Sequence, residues 1–240
     1  MSIHAKEDIL YKEFIEHFKS YGEEDSLCFD GLCYNGELYN EDRNCKKGNE
    51  EELWEGSKRR ILFLMKDPNN NPGQDYREWG WSLFTHSTFK IMFAWLKGLS
   101  IITRTDYLVL EQAYQKYDTA YPLAILNIKK ASGLSNVTNT KIWEYAERDH
   151  VLLKKQIRDI LQPNIIVCGG GSGTVIEVAK TFVYNDLDFI QVNSWCYYNS
   201  ENNILLIDSW HPTARLSHSQ KYDNMMKHVQ EFMNLYPNAF

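Results

Sequence analysis

Four short runs of apolar residues stand out along the chain, and each ends in polar residues or glycines. They occupy positions 61–65, 123–127, 165–168 and 204–207. Because they are apolar almost throughout, instead of at alternate positions, they are typical of strands buried on both faces of a parallel sheet. Apolar residues at helical spacing mark the segments between and around them, at about 5–20, 88–99, 106–117, 141–161, 173–182 and 219–235. The pattern predicts an α/β protein, a three-layer α/β/α sandwich with a central four-stranded parallel sheet.

Residues of about 22–58 do not fit this alternation. They are rich in Glu, Asp, Asn and Gly and include Cys28, Cys33 and Cys45, so we predict an irregular insertion that covers the surface. No internal repeat or low-complexity linker divides the sequence. We therefore expect a single domain over residues 1–240 that carries this insertion.

The charge balance limits how such a protein meets nucleic acid. With 26 basic and 32 acidic residues the net charge is -6, so DNA binding would need a local positive patch. No stretch is long and apolar enough to span a membrane, and the first helix is amphipathic with interspersed charges, unlike a signal peptide. Five cysteines without a dense framework are typical of reduced thiols, so we expect a cytoplasmic protein.

Polar residues follow each predicted strand, where the ligand crevice of an open parallel sheet lies. The four strand ends carry Lys66-Asp67-Pro68-Asn69, Asn127-Ile128-Lys129-Lys130, the glycine-rich run 169–173, and His211-Pro212-Thr213-Ala214-Arg215. A carboxylate, an amide and an imidazole therefore converge on one edge. This combination suits a small, flat, polar ligand better than it suits a metal ion, and we predict no metal site there.

In this order the motifs resemble those of the uracil-DNA glycosylase superfamily. The run 66–69 is similar to the motif after that family's first strand, Leu126-Asn127 to its second site, and His211-Pro212-Thr213 to its third. The resemblance spans about residues 60–217. It implies a base-binding pocket and hydrolysis of the bond between deoxyribose and uracil or another aberrant base, as in base excision repair. It also implies DNA as the partner, no cofactor, and a monomer.

The resemblance implies a role for each residue at the strand ends. Asp67 would orient water and stabilise positive charge on the sugar, Asn127 with Asn69 would read the base, and a neutral His211 would stabilise the departing base. Each has an alternative, because Asp and Asn are also turn formers and a lone histidine is often structural. Trp81 or Phe84 would stack on the base.

Contacts with the DNA backbone are expected from polar residues near the same edge. The candidates for phosphate contacts or for a wedge into the duplex are Lys129, Lys130, Thr213, Arg215 and Leu216.

The first motif departs from the uracil-specific members of the family. Met65 and Asn69 stand where those enzymes have Gly and Tyr, so the tyrosine that excludes the thymine methyl group is unassigned. Gly73-Gln74-Asp75-Tyr76 also resembles that motif, but it lies well past the strand end. We therefore prefer Asp67 as the catalytic carboxylate.

Three alternatives remain open at this level. The run from Gly169 to Gly173 opens a helix and resembles a phosphate-cradling loop, which would favour a nucleotide- or nucleobase-binding protein or a transferase. The same fold could bind nucleic acid or a nucleobase without catalysis. Finally, Cys28, Cys33 and Cys45 could bind zinc together with a histidine, although buried free thiols are the simpler interpretation.

Overall fold

A computed structural model describes residues 1–39, 44–68, 72–80, 87–114, 120–133 and 137–240. The helices in this part of the chain are α1 (Ile3–Lys19), α2 (Glu50–Gly56), α3 (Ser87–Ile101), α4 (Leu110–Ala113), α5 (Asn139–Lys154), α6 (Thr174–Val178) and α7 (His218–Leu235). The strands are β1 (Gly31–Leu32), β2 (Ile61–Met65), β3 (Ala124–Asn127), β4 (Ile165–Gly169), β5 (Ile190–Gln191), β6 (Cys196–Asn199) and β7 (Ile204–Ser209). None of these helices is long and apolar enough to cross a bilayer.

The described strands form one mixed sheet in the order β1-β3-β2-β4-β7-β6-β5. The four apolar runs are its middle strands β3, β2, β4 and β7, and they pair in parallel. β1 is added antiparallel at one side, and β6 and β5 at the other. The α/β class is thus confirmed, and in the described residues the sheet is mixed and has seven strands, because short antiparallel strands flank the four parallel ones.

Helices cover both faces of the sheet. Along β2, Leu62 and Leu64 face a core shared with α1, α5 and α6, while Phe63 and Met65 face a core shared with α3 and α7. This alternation follows from the strand geometry, which points successive side chains to opposite faces. A strand buried on both faces must be apolar at every position, as β2 is.

Two helical segments illustrate how the observed helices differ from the predicted bounds. The segment expected at 141–161 begins at Asn139, capped by the Thr138 side chain, and after Lys154 continues in π-helical form over Lys155–Leu161. The segment expected at 106–117 is helical only over Leu110–Ala113 among the residues that the structure describes there, and residues 115–119 lie outside them.

The segment 22–58 is more than a surface covering, which corrects the prediction. It supplies β1 to the sheet and contains α2, whose Trp54 is 1% exposed and donates its indole N–H to the carbonyl of Leu161 at 2.8 Å. Asp30, in the same segment, is equally buried. This segment therefore belongs to the core and reaches the carboxyl edge of the sheet.

Candidate functional site

A pocket of about 360 Å³ lies at the carboxyl ends of β2, β3 and β7, within the usual size range of small-molecule sites, about 300–1,000 Å³. Its lining residues come from these strand ends, from residues 76–79 and from α3: Met65, Asp67, Tyr76, Trp79, Phe89, Met92, Ile125, Asn127, His211, Pro212 and Thr213. The structure thus brings together the carboxylate, the amide and the imidazole that the sequence places at separate strand ends.

Asp67 follows β2 and is half-buried. Its Oδ2 is buried and has no hydrogen-bond partner among the described residues. Burial raises the pKa of the Asp67 carboxyl above its usual value, and the positive charges of Lys129 and Lys66 offset only part of this effect. A carboxylate with a raised pKa is a better proton acceptor than one in water, which suits Asp67 to activate a water molecule in the pocket.

His211 is held in one tautomer by the turn that follows β7. Its Nδ1 accepts the main-chain N–H of Thr213 at 3.2 Å and lies 2.7 Å from the hydroxyl of the same residue. Because Nδ1 is an acceptor, the neutral ring carries its proton on Nε2. Burial, together with the positive charges of Lys66 and Lys221, lowers the pKa of His211 to about 4. At neutral pH the ring is therefore an uncharged hydrogen-bond donor.

Lys221, on α7, supports the same turn. Its side chain is buried, and its ammonium donates to the carbonyl of Pro212 at 2.5 Å. A cation fixed behind the His-Pro-Thr turn both holds its main chain and disfavours a second positive charge on His211.

Asn127 is the last residue of β3, and hydrogen bonds to Asp30 hold it in place. One carboxylate oxygen of Asp30 accepts both the main-chain N–H of Asn127, at 2.7 Å, and its side-chain Nδ2, at 3.2 Å. The sequence gives no sign of this contact, because Asp30 lies in the polar segment that was expected to cover the surface.

Aromatic rings form one wall of the pocket. Tyr76 and Trp79 pack together with ring centroids 4.6 Å apart. Arg77 lies between them in the sequence. Its guanidinium group donates hydrogen bonds of 2.7 to 3.1 Å to the carboxylate of Asp75. Arg77 also pairs with Asp8 on α1, at 2.9 Å, so this wall is tied to the first helix.

The two candidate catalytic carboxylates, Asp67 and Asp75, differ in their partners. Asp75 is neutralised by Arg77, whereas Asp67 lines the pocket and its Oδ2 accepts no hydrogen bond from the described residues. The geometry favours Asp67 for chemistry. Tyr76 nevertheless belongs to the pocket, and its place in the Gly73-Gln74-Asp75-Tyr76 run was the one signal that could have found it.

Two of the expected phosphate contacts are buried, which corrects the prediction. Lys130 is 0% exposed and forms an ion pair with Asp30. Lys129 is 7% exposed, and its ammonium donates to the carbonyls of Ala131 and Ser132 at 2.7 and 3.0 Å. Both ammonium groups therefore have their partners inside the protein.

The remaining predicted contacts lie on the turn after β7 or outside the described residues. Thr213 and Arg215 are exposed, and Leu216 is half-buried. Asn69, Trp81 and Phe84 lie outside the described residues.

Close packing accounts for two glycines of the run 169–173, and a positive φ accounts for Gly171 and Gly173. A side chain at Gly169 would collide with the sulfur of Met65, and one at Gly170 with Val175. The N–H groups of Gly170 and Gly171 donate to the carbonyls of Cys168 and Ser209. The two N–H groups are therefore used inside the protein, which weakens the hypothesis of a phosphate-cradling loop.

All five cysteines are buried. Among the described residues, no group of three or more His, Cys, Asp or Glu side chains is arranged to hold a metal ion. Cys33 and Cys45 instead contact the main chain of Tyr76 and Trp79, at 3.7 and 3.5 Å, so they pack behind the aromatic wall.

A larger cavity, of about 540 Å³, lies at the opposite end of the sheet, near Lys58, Arg59 and Pro122. It contains none of the residues that the strand ends bring together.

No protein-family model matches the chain, and no curated protein matches it in sequence. The smaller pocket is therefore the basis for assigning a function.

Proposed function

We propose that the protein is a DNA glycosylase-like hydrolase that cleaves the N-glycosidic bond of uracil or another aberrant base. One observation carries the proposal: Asp67, Asn127 and His211 line a single pocket at the carboxyl edge of the sheet. An acidic group, a base-reading amide and a neutral donor are the groups that this reaction needs around a flipped base.

In the proposed reaction, the bond between C1′ of the sugar and the base nitrogen breaks, and its electron pair leaves with the base. Asp67 stabilises the positive charge that develops on the sugar and accepts a proton from the water that adds to C1′. His211 donates from Nε2 to a carbonyl oxygen of the base, which stabilises the departing anion. The anion then takes up a proton from solvent, and Asp67 releases to solvent the proton that it accepted from water. The products are an abasic sugar and the free base, and Asp67 is again ionised.

The walls of the pocket suit a planar ligand. Tyr76, Trp79 and Phe89 surround the polar groups with aromatic surface, and stacking on aromatic rings is the usual way to hold a base outside its duplex. Asn127 supplies a donor and an acceptor at the pocket edge, which match the polar edge of a base.

A second candidate is binding of a nucleobase or a nucleotide without excision. The burial of Lys129 and Lys130 favours it, because these cations were expected to contact the DNA backbone. The net charge of -6 adds no general attraction to DNA.

The experiment that tests the proposal is excision from labelled oligonucleotides that carry uracil, hypoxanthine, xanthine or a thymine mismatch. We expect abasic product from the wild type and a loss of about 10²–10⁴-fold for Asp67→Asn and for His211→Ala. Asp208→Asn is the matched control, because burial also raises the pKa of Asp208 but its side chain lies outside the pocket lining. Absence of abasic product from folded wild type with all four bases would favour the second candidate.

A further inference from the structure

The carboxylate of Asp30, which contacts Asn127, has partners at both of its oxygens. Asp30 is 1% exposed, and its Oδ1 pairs with the ammonium of the fully buried Lys130 and accepts the hydroxyl of Tyr11 at 2.8 Å. Its Oδ2 is the oxygen that accepts both N–H groups of Asn127. Buried charges persist when they are paired and hydrogen-bonded, and this carboxylate is both.

Asp30 fixes the direction of the Asn127 side chain. An ionised carboxylate only accepts hydrogen bonds, so Nδ2 of the amide must face it and Oδ1 must point away. No described residue donates to Oδ1, and Asn127 lines the pocket. The amide therefore offers a ligand one acceptor and one remaining N–H in a fixed order. Reversing the amide would set Oδ1 against a carboxylate oxygen, which is repulsive.

The order of donor and acceptor decides which base edge fits. Uracil, hypoxanthine and xanthine present a ring N–H beside a carbonyl oxygen. Cytosine and adenine present the reverse, a ring nitrogen that accepts beside an amino group that donates. A freely rotating asparagine amide can serve both edges by turning over, whereas one that is anchored on a carboxylate serves only one.

We propose that Asp30 is a positioning residue that sets base specificity, because it locks the amide of Asn127 in the orientation that accepts from a ring N–H. Lys130 supplies the countercharge that a buried carboxylate needs. The inference rests on the proposed function of the pocket, but it concerns the selection of the base and not the bond cleavage.

The test compares uracil with cytosine in otherwise identical single-stranded oligonucleotides. The variant Asp30→Ala/Lys130→Met removes both buried charges together and leaves no acceptor for Nδ2 of Asn127, so the amide can turn over. We expect the ratio of kcat/KM for uracil to that for cytosine to fall at least tenfold, with folding checked by thermal unfolding. Asp30→Asn alone is the second variant, and we expect the same loss of preference from it.

Tyr11→Phe is the matched control. It removes a hydrogen bond to the other oxygen of Asp30, so it should lower stability while leaving the preference for uracil unchanged. A folded double variant or a folded Asp30→Asn variant with the wild-type preference would overturn the proposal. So would an equal loss of preference in Tyr11→Phe, which would point to a general loosening of the core.

Binding of the free bases separates this inference from the proposed function. If the wild type excises nothing, the glycosylase proposal fails, and the affinities for free uracil and free cytosine, measured by calorimetry, test Asp30 instead. We then expect the wild type to prefer uracil at least tenfold and the double variant to lose that preference. A wild type that binds both bases equally would overturn the role of Asp30.

Discussion

His4, on α1, is a buried cation that links this helix to α2 in the segment 22–58. It is 2% exposed, and its Nε2 lies 2.8 Å from Glu50 on α2 while its Nδ1 lies 3.3 Å from Glu7 on α1. Burial disfavours the charged ring, but the hydrogen bonds to Glu50 and Glu7 outweigh it and raise the pKa of His4 to about 9. Glu7 also accepts the main-chain N–H of Leu32 in β1, so this cluster supports the strand next to Asp30.

The raised pKa makes stability depend on pH in a defined direction. A histidine whose pKa is higher in the folded state stabilises that state fully below its unfolded pKa of about 6.5, and the contribution is lost as pH rises through the folded value. With a folded pKa of about 9, linkage predicts that the free energy of unfolding falls by about 2 kcal/mol between pH 7 and pH 9 through His4.

Urea unfolding at pH 6, 7, 8 and 9 measures this loss. The control is His4→Gln, which keeps a hydrogen-bond donor but cannot titrate, and the difference in slope between the two proteins isolates His4 from other groups. Equal slopes for the wild type and His4→Gln would refute the assignment of a charged His4 in the folded protein.

Three further predictions concern the pocket and its supports. The ring of His211 should stay uncharged from pH 8 to pH 6, because its pKa is about 4; an NMR titration of His211 with a midpoint near 6.5 would contradict the neutral donor. Arg77→Met should lower the free energy of unfolding by about 3–5 kcal/mol, since it leaves Asp75 without its cation and removes one of the two cations beside the buried Glu7, and an unchanged urea midpoint would speak against the network. Burial raises the pKa of Cys28 to about 11, so a thiol reagent should modify it only after unfolding, and rapid labelling of the native protein would contradict this.

The middle of the sheet could be predicted from sequence because its strands are buried on both faces. The apolar runs that begin at Ile61 and Ile165 carry this signal without help from distant residues. The outer strands could not be found in the same way. β1 has only two residues, and both residues of β5 are exposed, so neither gives a run or an alternation long enough to recognise.

The candidate site was predictable to the extent that it depends on strand ends. Asp67, Asn127 and His211 each follow a central strand, and parallel pairing brings such positions to one edge. The burial of Lys130 was not predictable, because its partner Asp30 lies 100 positions earlier in a polar segment. The aromatic wall was missed for a similar reason, since tertiary contacts and not a strand end bring Tyr76 to the pocket.

The central claim is that this pocket holds a base between Asn127 and His211. A crystal structure of the protein soaked with free uracil at its highest soluble concentration tests it most directly. We predict density for the base with a carbonyl oxygen within hydrogen-bond distance of Nε2 of His211 and a ring N–H facing Oδ1 of Asn127. A base bound elsewhere, or a pocket that stays without it at saturating uracil, would contradict the account.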